Sequence, residues 1–145
     1  MNTIEFKYLI QNADYKTKYE PIVDIKTNEI YAYEALSKFE IEQSIINTEE
    51  IFRKLHHNNK LFFELEKRNK QLQVKSYCEN KKLFLNFDAD IVNTDEQKKY
   101  WTSFLTSYKN DIVVEITENG SDDEKSVEII HEFSSWLNEK ELHLL

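Results

Sequence analysis

Two short runs, "KKLFLNF" (81–87) and "DIVVEIT" (111–117), constrain the fold of this chain more than any other feature. A strand that is apolar at nearly every position must be covered on both faces, which is the condition of a parallel sheet flanked by helices. The intervening segments fit that condition. Thr94 and Gln97 form a capping box, and Tyr100, Trp101, Phe104, Leu105 and Tyr108 follow as one helical stripe. Ser121 and Glu124 form a second box ahead of Ile129, Ile130, Phe133, Trp136 and Leu137. "ELHLL" (141–145) reads as the start of a further strand. Strand and helix alternate, and the pattern predicts an α/β fold.

Upstream the pattern changes. "YEPIVDIKTNEIYAYEALSKF" (19–39) reads as strands near 18–25 and 30–38, joined by a turn at Lys26–Glu29. Asn28 suits such a turn because it tolerates the left-handed conformation. The pair is expected to be an antiparallel hairpin. Residues 3–12 predict a short helix, so 1–17 is read as a helical lead-in and 18–145 as one continuous unit. After the hairpin a helix starts at an N-cap of Asn47 or Thr48 and runs through Ile51, Phe52 and Leu55. A break at His56-His57-Asn58-Asn59 precedes a second helix through Phe62, Leu65, Asn69 and Leu72.

Composition limits the function. The formal net charge of −8 repels phosphate backbones and argues against general nucleic-acid binding, while leaving room for a local positive pocket holding a small phosphorylated ligand. No apolar run approaches the ~20 residues that span a bilayer. The N-terminus shows no cleavable signal pattern, and a single cysteine, Cys78, permits no intrachain disulfide; a cytoplasmic setting is expected. With one Gly and one Pro, turns must rely on Asn, Asp and Ser. Cys78 reads as a buried or semi-exposed thiol. His56 and His57 read as a helix-end polar cluster rather than a metal site, and His131 and His143 as isolated surface or half-buried residues.

Three polar residues interrupt apolar strands. Glu34 shares a strand face with Ile30, Ala32 and Leu36; Asn86 follows Leu83-Phe84-Leu85; Glu115 follows Ile112-Val113-Val114. Each is expected near the carboxyl end of its strand, where α/β sheets gather their sites. Any one alone fits an edge-strand residue facing solvent or an ordinary hydrogen bond. Two carboxylates and an amide oxygen together are hard ligands, suited to magnesium or manganese and poorly suited to zinc. A divalent cation would offset the cost of burying them.

These residues lie in motifs that resemble the EAL family, the bacterial cyclic di-GMP phosphodiesterase domains. "YEPIVDIKTNEIYAYEAL" resembles the family's opening and carries the Glu-Ala-Leu signature at Glu34, Ala35 and Leu36. "LFLNFD" is similar to the strand bearing a metal-binding Asn, here Asn86, and "VVEITEN" to the Glu-Ile-Thr-Glu strand, with Glu115 as ligand and Glu118 as a second acidic residue. The resemblance runs from about Lys18 to the C-terminus, roughly the N-terminal three-fifths of such a domain. It implies a partial TIM-like (β/α) barrel whose first strand is antiparallel. It also implies Mg2+ or Mn2+ held by Glu34, Asn86 and Glu115, and a water that opens cyclic di-GMP to linear pGpG.

Three departures accompany the match. Lys38 stands where the family has a phosphate-contacting Arg, and a point charge cannot form the bidentate fork. Glu20 replaces a Gln, adding negative charge beside an anionic ligand. The family's Asp-Asp-Phe-Gly motif would begin just past Leu145. The expectation is therefore that 1–145 alone does not hydrolyse cyclic di-GMP. A second copy or another protein is expected to cover the open barrel edge. The alternative is a degenerate EAL remnant acting as a protein-interaction or weak ligand-binding module; a third reading is an unrelated α/β domain.

Overall fold

The computed structural model describes residues 7–8, 11–41, 44–46, 48–108, 111–117 and 124–139. In chain order the elements are β1 (Asp14–Asp24), β2 (Glu29–Ile41), β3 (Ser44–Ile46), α1 (Thr48–Leu55), α2 (Asn59–Lys75), β4 (Lys82–Asp88), a single 3-10 turn (Ala89–Ile91), α3 (Asp95–Thr106), β5 (Ile112–Thr117) and α4 (Glu124–Glu139). The sheet order is β1-β2-β4-β5, with β3 pairing β2 off that path. β2, β4 and β5 run parallel, as the continuous apolar strands predict. The chain divides into two compact units, one from Met1–Lys18 and Leu36–Tyr77, the other from Tyr19–Ala35 and Cys78–Leu145.

The hairpin turn occupies residues 25–28 and is closed by Asn28 N donating to Asp24 O at 2.7 Å. Asp24 Oδ1 accepts Lys26 N at 2.8 Å, and Asn28 takes the left-handed conformation at φ 60°. Asn tolerates that geometry because its short side chain bonds locally. β1 begins four residues earlier than the hydrophobic pattern suggests, so Asp14–Thr17 of the expected helical lead-in is strand. The reason is visible in its burial: exposed Asp14, Lys16 and Lys18 alternate with half-buried Tyr15, Thr17 and Tyr19. Residues 7–8 and 11–12 are helical, and Asn12 Nδ2 donates to Tyr8 O at 2.8 Å. Asn47, the alternative N-cap of α1, lies outside the described residues, as do the Ser121 capping side chain, His143 and the strand expected at 141–145.

The first unit is organised by aromatic edges. Tyr15 meets Phe39 at 5.5 Å between ring centroids, Phe39 meets Phe52 at 5.9 Å, and Phe52 meets Phe62 at 5.8 Å. His56 closes the end of α1 with its ring edge-on to Phe62 at 5.4 Å. Asn58 caps α2, its side chain accepting from Leu61 N. One face of α2 departs from the expected apolar stripe: Glu66, Asn69, Lys70 and Gln73 are all buried, whereas Leu72 is only half-buried. Lys70 Nζ lies 2.9 Å from Glu66 Oε2, Asn69 Nδ2 donates to Glu66 Oε1 at 3.0 Å, and Gln73 Nε2 donates to Ser37 Oγ at 2.9 Å. Mutual pairing is what lets such groups leave water.

In the second unit β4 is apolar on both faces for two different reasons. Leu83, Leu85 and Phe87 face the helices, and Phe87 packs edge-on against Trp101 of α3 at 4.9 Å and lies tilted against Phe133 of α4 at 6.3 Å. Phe84 faces the other way, joining Ala32 of β2 and Val113 of β5 in a buried cluster with Ile22 of β1 packed against it. The Thr94–Gln97 capping box forms as the spacing predicts, with Gln97 N donating to Thr94 Oγ1 at 3.1 Å and Gln97 Oε1 accepting Thr94 N at 3.0 Å. Trp101 Nε1 donates to Ile91 O at 2.8 Å, tying α3 to the 3-10 turn, and Trp136 Nε1 donates to Thr102 Oγ1 between α4 and α3. Cys78 is exposed rather than buried, since it lies beyond the end of α2.

Candidate metal centre

Strand alternation builds the site. Glu34, Asn86 and Glu115 each lie two residues beyond a member of the Ala32–Phe84–Val113 cluster, so all three project from the face that carries it. The ladder between β4 and β5 places Asn86 directly opposite Glu115. On the other side, β2 pairs with β4 from Ala32 through Glu34, so Glu34 closes that ladder. Asn86 and Glu115 sit near the carboxyl ends of their strands as expected. Glu34 does not: β2 continues to Ile41, where it pairs antiparallel with β3. The end of a ladder, not the end of a strand, sets its position.

The contacts join the three. Asn86 Nδ2 donates to Glu34 Oε2 at 3.2 Å, which leaves the amide oxygen for another partner. Glu115 stands against Glu34, and its pKa is pushed up to about 7 from an ordinary 4.5. Burial is the largest cause, followed by a shared hydrogen bond with Glu34 and the repulsion of that neighbouring carboxylate. Among the described residues, Glu115 Oε2 is buried with no hydrogen-bond partner. An oxygen so placed is costly in a protein held together by its own bonds alone. The donor set fits a hard divalent cation: two carboxylates and an amide oxygen on adjacent strands, with one carboxylate oxygen still lacking a partner.

The remaining residues of interest lie elsewhere in the chain. Lys38 is exposed on β2 within the first unit, and Glu20 is half-buried on β1 within the second. Glu118 lies outside the described residues. Asp88, which the strand pattern does not single out, is a buried carboxylate two residues beyond Asn86 that accepts Asp90 N at 2.9 Å and so caps the 3-10 turn. The Asn-x-Asp spacing on one strand was the available signal. His57 and His131 are exposed and His56 packs on Phe62, so none of the three enters this centre.

No protein-family model matches the sequence, and no curated protein does. Solved structures do match the fold. An EAL domain protein from Listeria monocytogenes aligns with a TM-score of 0.67 at 18% identity, over 99% of this chain and 58% of that one. The YkuI protein of Bacillus subtilis, solved with substrate cyclic di-GMP and calcium, gives 0.69 at 16% identity, over 99% of this chain and 37% of that one. The FimX EAL domain of Pseudomonas aeruginosa, bound to cyclic di-GMP, gives 0.73 at 10% identity, over 99% of this chain and 61% of that one. The 145 residues thus span less than two thirds of each of these chains, and the likeness is one of fold: part of an EAL-type, barrel-like α/β architecture with an N-terminal antiparallel hairpin.

Proposed function

We propose that this chain, carrying part of an EAL-type fold, supplies the metal-ligand strands of a cyclic di-GMP signalling domain. Glu34, Asn86 and Glu115 would hold Mg2+ or Mn2+. The observation that carries this reading is the paired carboxyl groups of Glu34 and Glu115, one of which keeps a buried oxygen without a partner. Two carboxylates in contact repel, and a divalent cation turns that repulsion into coordination. Asn86, bonded to Glu34 through its amide nitrogen, fixes the Glu34 side chain and presents its own oxygen. When bound, the cation would lower the pKa of a water and steady the charge on a phosphodiester. The chain's own carboxylates orient that cation and are its charge partners.

Cyclic di-GMP is the ligand in two of the structures that share the fold, and calcium accompanies it in one. A doubly phosphorylated ligand would meet the cation rather than the acidic surface of this chain, whose formal charge is −8. The single cysteine suits the reducing cytoplasm, where such a nucleotide signal would be read.

Calorimetric titration of the 145-residue chain with MnCl2, followed by cyclic di-GMP, tests the proposal. Saturable Mn2+ binding is expected, weakened about tenfold or more by Glu115→Gln or Asn86→Ala. Absence of Mn2+ binding by the wild-type chain, or binding indifferent to both substitutions, would sink it. Chromatographic assay of the same samples then separates two roles: linear pGpG marks a phosphodiesterase, and retained cyclic di-GMP marks a binding module.

A further inference from the structure

We propose that a cleft in the first unit is a second ligand site, and that it takes a small phosphate ester. The cleft lies between the helical residues 7–8 and 11–12 and the first turns of α2, and has a volume of about 500 Å³. That is within the range of pockets for ligands of nucleotide size. Its floor is Leu61 and Leu65, half-buried and buried respectively. Three cations stand around that floor, Lys7, Lys60 and Arg68, against one carboxylate, Glu64. Among the described residues, Lys7 and Lys60 make no ion pair. A pocket with a positive balance is conspicuous in a chain of net charge −8, because the surrounding acidic surface supplies no general reason for an anion to approach.

The individual side chains are suited to a phosphate. The Arg68 guanidinium stacks 4.6 Å from the centre of the Tyr15 ring. Stacking holds the plane of the fork and leaves its in-plane N–H donors for a planar or tetrahedral oxyanion. Lys60 lies in the first turn of a 17-residue helix that carries no acidic residue there, so the positive end of α2 is not neutralised by its own side chains. Glu64 is drawn toward Lys67, 2.8 Å away. Gln11 and Asn58 complete the polar wall, although Asn58 already accepts Leu61 N. The apolar floor is what a free phosphate ion would not use and the body of an ester would. The cleft shares no residue with the metal centre.

The experiment is calorimetric titration of the full chain at low salt with two probes, AMP and inorganic phosphate. AMP is expected to bind saturably and about tenfold or more tighter than phosphate. Lys60→Glu should weaken AMP binding about tenfold or more. A carboxylate in the first turn of a helix is favourable to that helix, so the variant keeps its fold, which unchanged far-UV circular dichroism verifies. Glu64→Gln should move affinity the opposite way and tighten AMP binding, a direction that damage to the fold does not produce. Glu115→Gln, which addresses the metal centre, should leave AMP binding unchanged, so the two proposals fail separately. No AMP binding at millimolar concentration, AMP no tighter than phosphate, or binding untouched by Lys60→Glu would each overturn the inference.

Discussion

Glu115 illustrates how one side chain can be both a liability and a ligand. Its pKa of about 7 means that near neutrality part of the population carries a proton that Glu34 helps to hold. Removing the charge removes the repulsion: Glu115→Gln is expected to stabilise the metal-free chain above pH 7 by about 1 kcal/mol, allowing for its partial exposure to solvent. Urea melts at pH 8 measure this, and an unchanged or lower midpoint would contradict it. The same variant should lose the protection that Mn2+ gives the wild type. Legibility at this scale was good for Glu34, Asn86 and Glu115, because a polar residue inside an apolar strand announces itself. It was poor for Asp88, whose neighbours Phe87 and Ala89 give no alternation to violate.

Elements were legible where period and caps agreed. α3 begins at the Thr94–Gln97 box, and β4 and β5 fall within a residue of their apolar runs. The start of β1 was missed because Asp14, Lys16 and Lys18 look like a polar tail, although they are the outward positions of a strand. α2 was misread more deeply: its buried face includes Glu66, Asn69, Lys70 and Gln73, and periodicity alone assigns such residues to solvent. Gln73 reaches Ser37 of β2, a contact that period does not reveal, while the local i,i+4 pairing of Glu66 with Lys70 lets both charges leave water. That pairing makes a prediction. Lys70→Met should cost about 3 kcal/mol by leaving Glu66 buried without its counter-charge, while Glu66→Leu with Lys70→Met should be close to neutral. A double-mutant cycle from denaturant midpoints checks it, and additive losses would refute it.

For the molecule as a whole, the raised pKa of Glu115 sets a pH dependence. A carboxyl whose pKa is higher in the folded state than in the unfolded one binds more protons when folded, so its favourable contribution is complete below about 4.5 and is lost as pH rises through about 7. A bound divalent cation reverses the sign by using the deprotonated form. Thermal melts with millimolar Mg2+ or Mn2+ would therefore show a larger metal-induced rise in Tm at pH 8 than at pH 5, the stabilisation at pH 8 reaching about 2–3 kcal/mol once the cation is at roughly 100 times its Kd. An equal rise at both values would show that the cation binds elsewhere.

The placement of tryptophan has a spectroscopic consequence. Both tryptophans of the chain, Trp101 and Trp136, belong to the second unit, and Trp101 is fully buried with its indole N–H held by Ile91 O. Excitation at the red edge of protein absorption thus reports one unit and is blind to the other, whose helices α1 and α2 dominate no such signal but do contribute to circular dichroism. Two optical channels on one sample then follow the second unit alone and the helices of both units together. Coincident melting curves are expected if the long strands β1 and β2, which supply residues to both units, make unfolding a single event. An emission transition separated from the dichroic one would show that the metal-ligand unit opens on its own schedule.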